Sequence, residues 1–375
     1  MALSSPTRLP VIRRRRARRL AYWNGALWAV GNGLASTTLV IYLAMELDVA
    51  GIGLGISLIL AAPRLAGLLR LAAPALIGWI GDRKRFCLIA YLLSAVALFG
   101  LPLVAARWWF PSLDGALAAL VVIWCTYHLL EYLGTIALRS WLADLVPARV
   151  RGRFLGLRQR WMVTGQAAAM LASGLHAWGW RYLHPFEPRS IAYAVPAALG
   201  AGLMIAALVP LAAMPAVEPT SRGQRPARPA ILAAFADRRF LRLLLFGCFL
   251  STANGLTHLA QGVYPNWILG VGLFAMLALK TGMRGGQFLV CPWLGRLADR
   301  LGNKPVMAVS LAIVAQGPLF YLLATPSHWW WLVGAWVCWV AWAGVNVALP
   351  NLLLRLAPQE SNTPHIATYY AVTGF

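Results

Sequence analysis

The chain has 375 residues, 60% of them hydrophobic and 12% charged, with a mean hydropathy of +0.66, which excludes a soluble domain and requires several membrane spans. Its formal net charge of +22 would suit a nucleic-acid binder, but the arginines and lysines gather in short segments between apolar runs, where membrane topology accounts for them. The five cysteines, Cys87, Cys125, Cys248, Cys291 and Cys338, lie in or beside apolar runs without metal-ligand or disulfide spacing, and read as small packing residues.

A hydrocarbon core about 30 Å thick is crossed by about twenty apolar residues in a helix. After a basic tail, residues 1–19, the first half supplies Leu20 to Met45, Gly53 to Trp79, Phe86 to Ala106, Gly115 to Leu138, Leu157 to Trp180 and Ile191 to Met214. The first run is too long for a signal-peptide core and lacks a clear cleavage site, so it reads as a span. Pro215 to Pro229 is rich in proline and arginine without apolar periodicity, marking residues 215–239 as a cytoplasmic linker between halves 20–214 and 240–375. The second half offers Phe240 to Tyr264, Val271 to Trp293, Pro305 to Thr325 and Trp329 to Leu354, then an apolar stretch from His365 to Phe375 about half a membrane thick. The fold class is an all-α integral membrane protein. Basic segments at Arg83 to Arg85, Arg149 to Arg160, Arg222 to Arg242, Arg296 to Lys304 and Arg355 fall on the side of the amino-terminal tail, which places that side in the cytoplasm and the protein in an inner membrane.

The two halves repeat one another. Gly295 to Pro305 reads GRLADRLGNKP, and Gly78, Asp82 and Arg83 stand where Gly295, Asp299 and Arg300 stand in the second copy. Gly302 and Lys304 complete that second copy, whereas in the first Lys84 and Arg85 follow with no glycine, so its turn is expected to be built differently. Asn32-Gly33-Leu34 recurs as Asn254-Gly255-Leu256. By the two Gly-x-x-x-Asp-Arg copies the chain resembles the major facilitator superfamily of secondary transporters. The resemblance implies two pseudo-symmetric six-helix bundles; against that pattern the second bundle is truncated, with about ten complete spans and part of an eleventh, or the protein is a genuinely shortened one. It also implies a gating role for Gly78, Asp82, Arg83, Gly295, Asp299, Arg300 and Gly302. Asp82 would face the start of the eleventh span near Thr363, and Asp299 the start of the fifth near Gly156. Arg151-Gly152 matches a further habit of the family, an element that contacts acids or helix ends.

An ionisable group inside the bilayer costs roughly 2.5 to 3.5 kcal/mol on insertion scales, so each needs a partner, a wet cavity or a function. Glu131 is the only carboxylate well inside an apolar run. It is the first candidate for proton coupling, with His128 one turn away; the alternative is a fixed ion pair with Arg70 at similar depth. His128 and Glu131 have no further clustered ligands, so no metal site is expected. Arg64, Lys280 and Arg284 exceed the carboxylates available to pair them, and facing one another they would attract an anion; the alternative is that they bond carbonyls or snorkel outward. The resemblance places the first, fourth, seventh and tenth spans around a central cavity, making Asn32, Asn254, Asn346 and His258 substrate-binding candidates, while helix-to-helix bonding is the competing role for each amide.

The leading function is transmembrane transport of a small polar or anionic solute by alternating access with H+ coupling, and the alternative is a non-transporting membrane protein on the same scaffold. No nucleophile with a base, phosphate loop or metal cluster appears, so no enzyme chemistry and no cofactor are expected. The expected partners are the bilayer, a small-molecule solute and H+, without nucleic acid, and the expected form is a monomer.

Overall fold

The computed structural model describes residues 11–47, 54–106, 109–110, 112–187, 189–216, 235–357 and 362–374, and every regular element among them is helical. In chain order the helices are α1 (Arg13–Leu47), α2 (Ile56–Ile80), α3 (Arg83–Ala106), α4 (Leu113–Leu145), α5 (Arg151–Leu183), α6 (Ser190–Ala212), α7 (Arg238–Trp267), α8 (Leu273–Arg300), α9 (Asn303–Leu323), α10 (Pro326–Leu356) and α11 (Asn362–Thr373). Eight of them are long and apolar enough to cross a membrane. The long helices outside that set are α5 and α8, which carry Arg158, Arg160 and Gln166, and Lys280, Arg284 and Gln287 respectively. These two polar helices pack on one another, so their polar faces are removed from lipid, where unmatched polar groups are costly.

Small residues set the distances between helices. A Cβ at Gly156 would lie 2.7 Å from the Cys291 carbonyl oxygen, and one at Gly295 would lie 2.7 Å from that of Gly152, so α5 and α8 touch backbone to backbone. A Cβ at Gly31 would lie 2.5 Å from the Gly200 oxygen, which brings α6 equally close to α1. Among the described residues, Trp124, Tyr127, Trp141 and Tyr369 are the largest fully buried side chains.

Several helices extend past the expected ends of their spans, α1 from Arg13 and α8 to Arg300 among them. Helix α4 continues to Leu145 instead of stopping at Leu138, and α5 begins at Arg151 instead of Leu157. The apolar runs stop at cations, but Arg139 is enclosed by protein and α4 continues through it, and the buried Arg151 opens α5. Of the expected linker, residues 217–234 lie outside the described residues.

Candidate functional site

The two Gly-x-x-x-Asp-Arg copies form different turns, and the position of one glycine explains the difference. In the first copy Gly81 precedes the aspartate; its φ of 74° caps α2 in the left-handed region, and Asp82 falls outside the helix as the N-cap of α3. Asp82 Oδ1 accepts from the backbone N–H of Lys84 at 2.8 Å and of Arg85 at 3.3 Å. In the second copy the left-handed residue is Gly302, with φ 95°, so α8 runs on through Asp299 and turns its side chain towards a neighbouring helix.

That neighbour is α5. The Asp299 carboxylate accepts from the N–H of Gly152 at 3.1 Å and of Arg153 at 2.8 Å, and lies 3.7 Å from Arg355 of α10. A carboxylate against the exposed N–H groups of a helix start is favourable in charge and hydrogen bonding. The expected meeting of Asp299 with the start of the fifth span is therefore present, one turn earlier than Gly156. The corresponding expectation for Asp82 is corrected, because its hydrogen bonds go to its own helix. The start of α11 is held instead by α4: Ser140 Oγ lies 2.7 Å from Thr363 Oγ1 and donates to Asn362 Oδ1 at 2.7 Å, and Asn362 Nδ2 donates to Asp144 Oδ1 at 3.4 Å. Arg83 serves this group, donating to Ser140 Oγ at 2.7 Å and pairing with Asp144 at 2.6 Å. Arg151 spans the halves, giving Nη1 to the Leu354 carbonyl at 3.2 Å and Nη2 to that of Ala143 at 3.1 Å. Since Asp144 is well enclosed and Asp82 is not, Asp144→Ala should cost about 2 kcal/mol or more and Asp82→Ala about 1 kcal/mol. Melting in detergent will check this, with a clearly lower midpoint for the first variant.

Further inside, a cavity of about 350 Å³ opens between the bundles. Its wall includes Asn32 of α1, Glu131 and Arg139 of α4, Gln159 and Gln166 of α5, Arg284 of α8, Asn346 of α10 and Tyr370 of α11. Gln166 donates to Asn32 Oδ1 at 2.8 Å, and Asn32 donates to the Tyr127 hydroxyl at 3.3 Å. Arg284 gives Nη1 to Gln287 Oε1 at 2.7 Å and keeps a buried Nε without a hydrogen-bond partner. Arg139 lies against the Tyr370 ring, 4.2 Å from its centroid, with Nη1 buried and unpartnered. Glu131 Oε2 is 3.6 Å from His128 Nδ1, beyond hydrogen-bond reach, and the His128 ring packs edge-on against Trp124 at 4.4 Å.

Four expected residues thus meet in one cavity: Asn32, Glu131, Arg284 and Asn346. Others lie elsewhere. Arg70 sits in a buried turn of α2, its guanidinium 3.6 Å from the Tyr132 ring centroid and donating to the Tyr370 carbonyl. It is within electrostatic range of Glu131, but the close neighbour of that carboxylate is His128. Arg64 lines a separate open pocket between α2, α7 and α11 with Ser251 and Gly255, so the expected opposition of Arg64 to Arg284 does not occur. Lys280 donates to Thr38 Oγ1 of α1 and lies 6.0 Å from the Trp336 ring centroid; it ties the halves together. Asn254 is half-buried in α7 and lines neither space. The His258 side chain lies outside the described residues. Arg139, Gln159, Gln166 and Tyr370 are additions that sequence reasoning missed.

Bonds between the halves lie at both ends of this cavity. Beyond the Lys280 contact, the Tyr42 hydroxyl donates to the Val271 carbonyl at 2.9 Å, while Asp299, Arg151 and the Ser140 group join the halves at the other end. Two helical bundles with a polar, charged space between them define a membrane transporter scaffold. The chain belongs to the Major Facilitator Superfamily, whose profile matches residues 109–375. Its fold is similar to that of the proton:xylose symporter XylE bound to 6-bromo-6-deoxy-D-glucose, at TM-score 0.66 and 17% identity over 96% of this chain and 86% of that one. It is also similar to FucP in the outward conformation, at TM-score 0.66 and 16% identity over 95% and 88%. A variant of the nucleoside transporter NupG gives 0.59 and 15% over 96% and 87%. No curated protein sequence matches the chain.

Proposed function

We propose that this protein transports a small polar anion across the membrane by alternating access, coupled to H+ through Glu131. One observation carries the reading: Glu131, Arg139 and Arg284, three charged side chains from two bundles, line one cavity between them. Such charges are expensive in a membrane unless they serve a solute or an ion. A scaffold without transport activity would favour a seam sealed by apolar residues, whereas this seam holds amides and guanidinium groups. The turns at Asp82 and Asp299 lie at the cytoplasmic face in this reading, because they carry the cationic loops. The contacts of Asp299 and Arg151 close the cavity on that side, and the Tyr42 and Lys280 contacts close it on the other; transport breaks the two sets in turn. The protein works as a monomer in the cytoplasmic membrane, with residues 20–214 and 240–375 as the two moving bodies.

The test is uptake of radiolabelled organic and inorganic anions into proteoliposomes with an imposed pH gradient. Accumulation of at least one anion is expected, and Arg284→Gln should lower its uptake about tenfold or more, the loss of roughly 1.4 kcal/mol of binding. Uptake of every anion unchanged by Arg284→Gln would defeat the anionic site.

A further inference from the structure

The charges on the cavity wall are unequal, and their sum narrows the solute class left open by the anion-transport reading, on which this inference rests. Arg139 and Arg284 bring two positive charges to the wall, Glu131 brings one negative charge, and no other carboxylate among the described residues lines the cavity. Arg70 and Arg158 lie close behind it. Arg70 is 3% exposed, and Arg158 directs Nη1 at the Met162 sulfur, 3.0 Å away, with its Nε buried and unpartnered. Cations held away from water require counter-charge, so the space is built to receive more negative charge than Glu131 supplies.

The two wall arginines also belong to different bundles, Arg139 to α4 and Arg284 to α8, and each keeps a buried guanidinium nitrogen without a partner. We propose that the solute is a compact organic dianion, a dicarboxylate or a phosphate monoester, whose negative charge is shared between Arg139 and Arg284. Guanidinium forks bind carboxylate and phosphate oxygens by the same paired N–H geometry. A dianion engaging both arginines links the moving bodies directly, so loading itself draws them together. It balances the wall charge when Glu131 carries a proton, whereas a monoanion then leaves one arginine uncompensated. By linkage, the dianion raises the proton affinity of Glu131 and the proton raises affinity for the dianion. The titratable and charged groups around Glu131 are Tyr127, His128, Tyr132 and Arg139 of α4, Arg70 of α2 and Tyr91 of α3.

Calorimetric titration of the purified full chain in detergent near neutral pH tests this. Succinate and glycerol 3-phosphate serve as dianionic probes, succinamate and glycerol as their monoanionic and neutral counterparts. At least one dianion is expected to bind about tenfold or more tightly than its counterpart, with proton uptake visible as a dependence of the heat on buffer. Arg139→Gln and Arg284→Gln should each remove that preference while the unliganded variants stay monodisperse; Arg139→Lys and Arg284→Lys supply the comparison where a glutamine variant fails to fold, and should weaken it. Binding of neither dianion, succinamate binding as tightly as succinate, or a preference that survives all the substitutions would overturn the dianion proposal. Uptake of monoanions in the proteoliposome assay would leave anion transport standing in each case, and absence of uptake of any anion would remove the broader reading instead.

Discussion

Glu131→Gln is expected to abolish pH-driven accumulation of solute while leaving exchange of solute across the membrane in place. A pH unit is worth about 1.36 kcal/mol, so a coupled carrier can build up to about a tenfold solute gradient for each unit of imposed pH difference, and the variant should build none. The expectation follows from position. Glu131 is the one mid-span carboxylate in the sequence, it lines the cavity with Arg139 and Arg284, and its ion-pair contact is with the His128 imidazole at 3.6 Å. A carboxylate fixed in a tight ion pair cannot exchange a proton readily; one beside a cavity, without a close cationic partner, can. Glutamine preserves volume and polarity, so binding and rocking persist while the protonation step is lost. Accumulation at the wild-type level by Glu131→Gln would remove this residue as the coupling group.

Gly156→Val should damage both stability and transport. The added Cβ would meet the Cys291 carbonyl oxygen at 2.7 Å and the Gly295 Cα at 3.2 Å, both backbone atoms of α8 that no rotamer change can move aside. Overpacking of this kind costs about 1 to 3 kcal/mol where the structure can shift, and here the shift must separate α5 from α8. That separation would also draw the N–H groups of Gly152 and Arg153 away from Asp299, loosening the same end of the cavity. Gly179→Val on the same helix is the control, because a Cβ there meets nothing within 4 Å. A melting midpoint clearly lower for Gly156→Val, with Gly179→Val near wild type, is the expected result; equal midpoints would show that the α5 to α8 contact is not a tight one.

Much of this architecture could be read from periodic apolarity and repetition. Eight of the spans and their order follow from hydropathy; resemblance put Asn32 and Asn346 at a central cavity, while Glu131 and Arg284 stood out only as charges inside apolar runs, and it is the packing that brings the four together. What escaped depended on tertiary contact. Arg139 lies just past Leu138, where the fourth apolar run ends; the helix carries it into protein, where Tyr370 covers it. Gln159 and Gln166 carry no charge to draw notice, and only the packing of α5 between α1 and α8 turns them inward. Asn254 shows the opposite error, since repetition of the Asn32 motif did not bring it to the same cavity. The two gating turns were legible as motifs but not as geometries. A glycine one residue before Asp82, against one three residues after Asp299, decides whether the carboxylate caps its own helix or reaches the next.

Alternating exposure of the central cavity is the claim on which the rest depends, and cysteine accessibility at Asn346 measures it most directly. With the five native cysteines replaced, Asn346→Cys in proteoliposomes would be treated with a membrane-impermeant thiol reagent from one face and then, in a separate sample, from the other. Reaction from both faces, slowed from both by a transported anion, is the predicted result. Reaction confined to one face, or absent from both whether or not solute is present, would contradict the account.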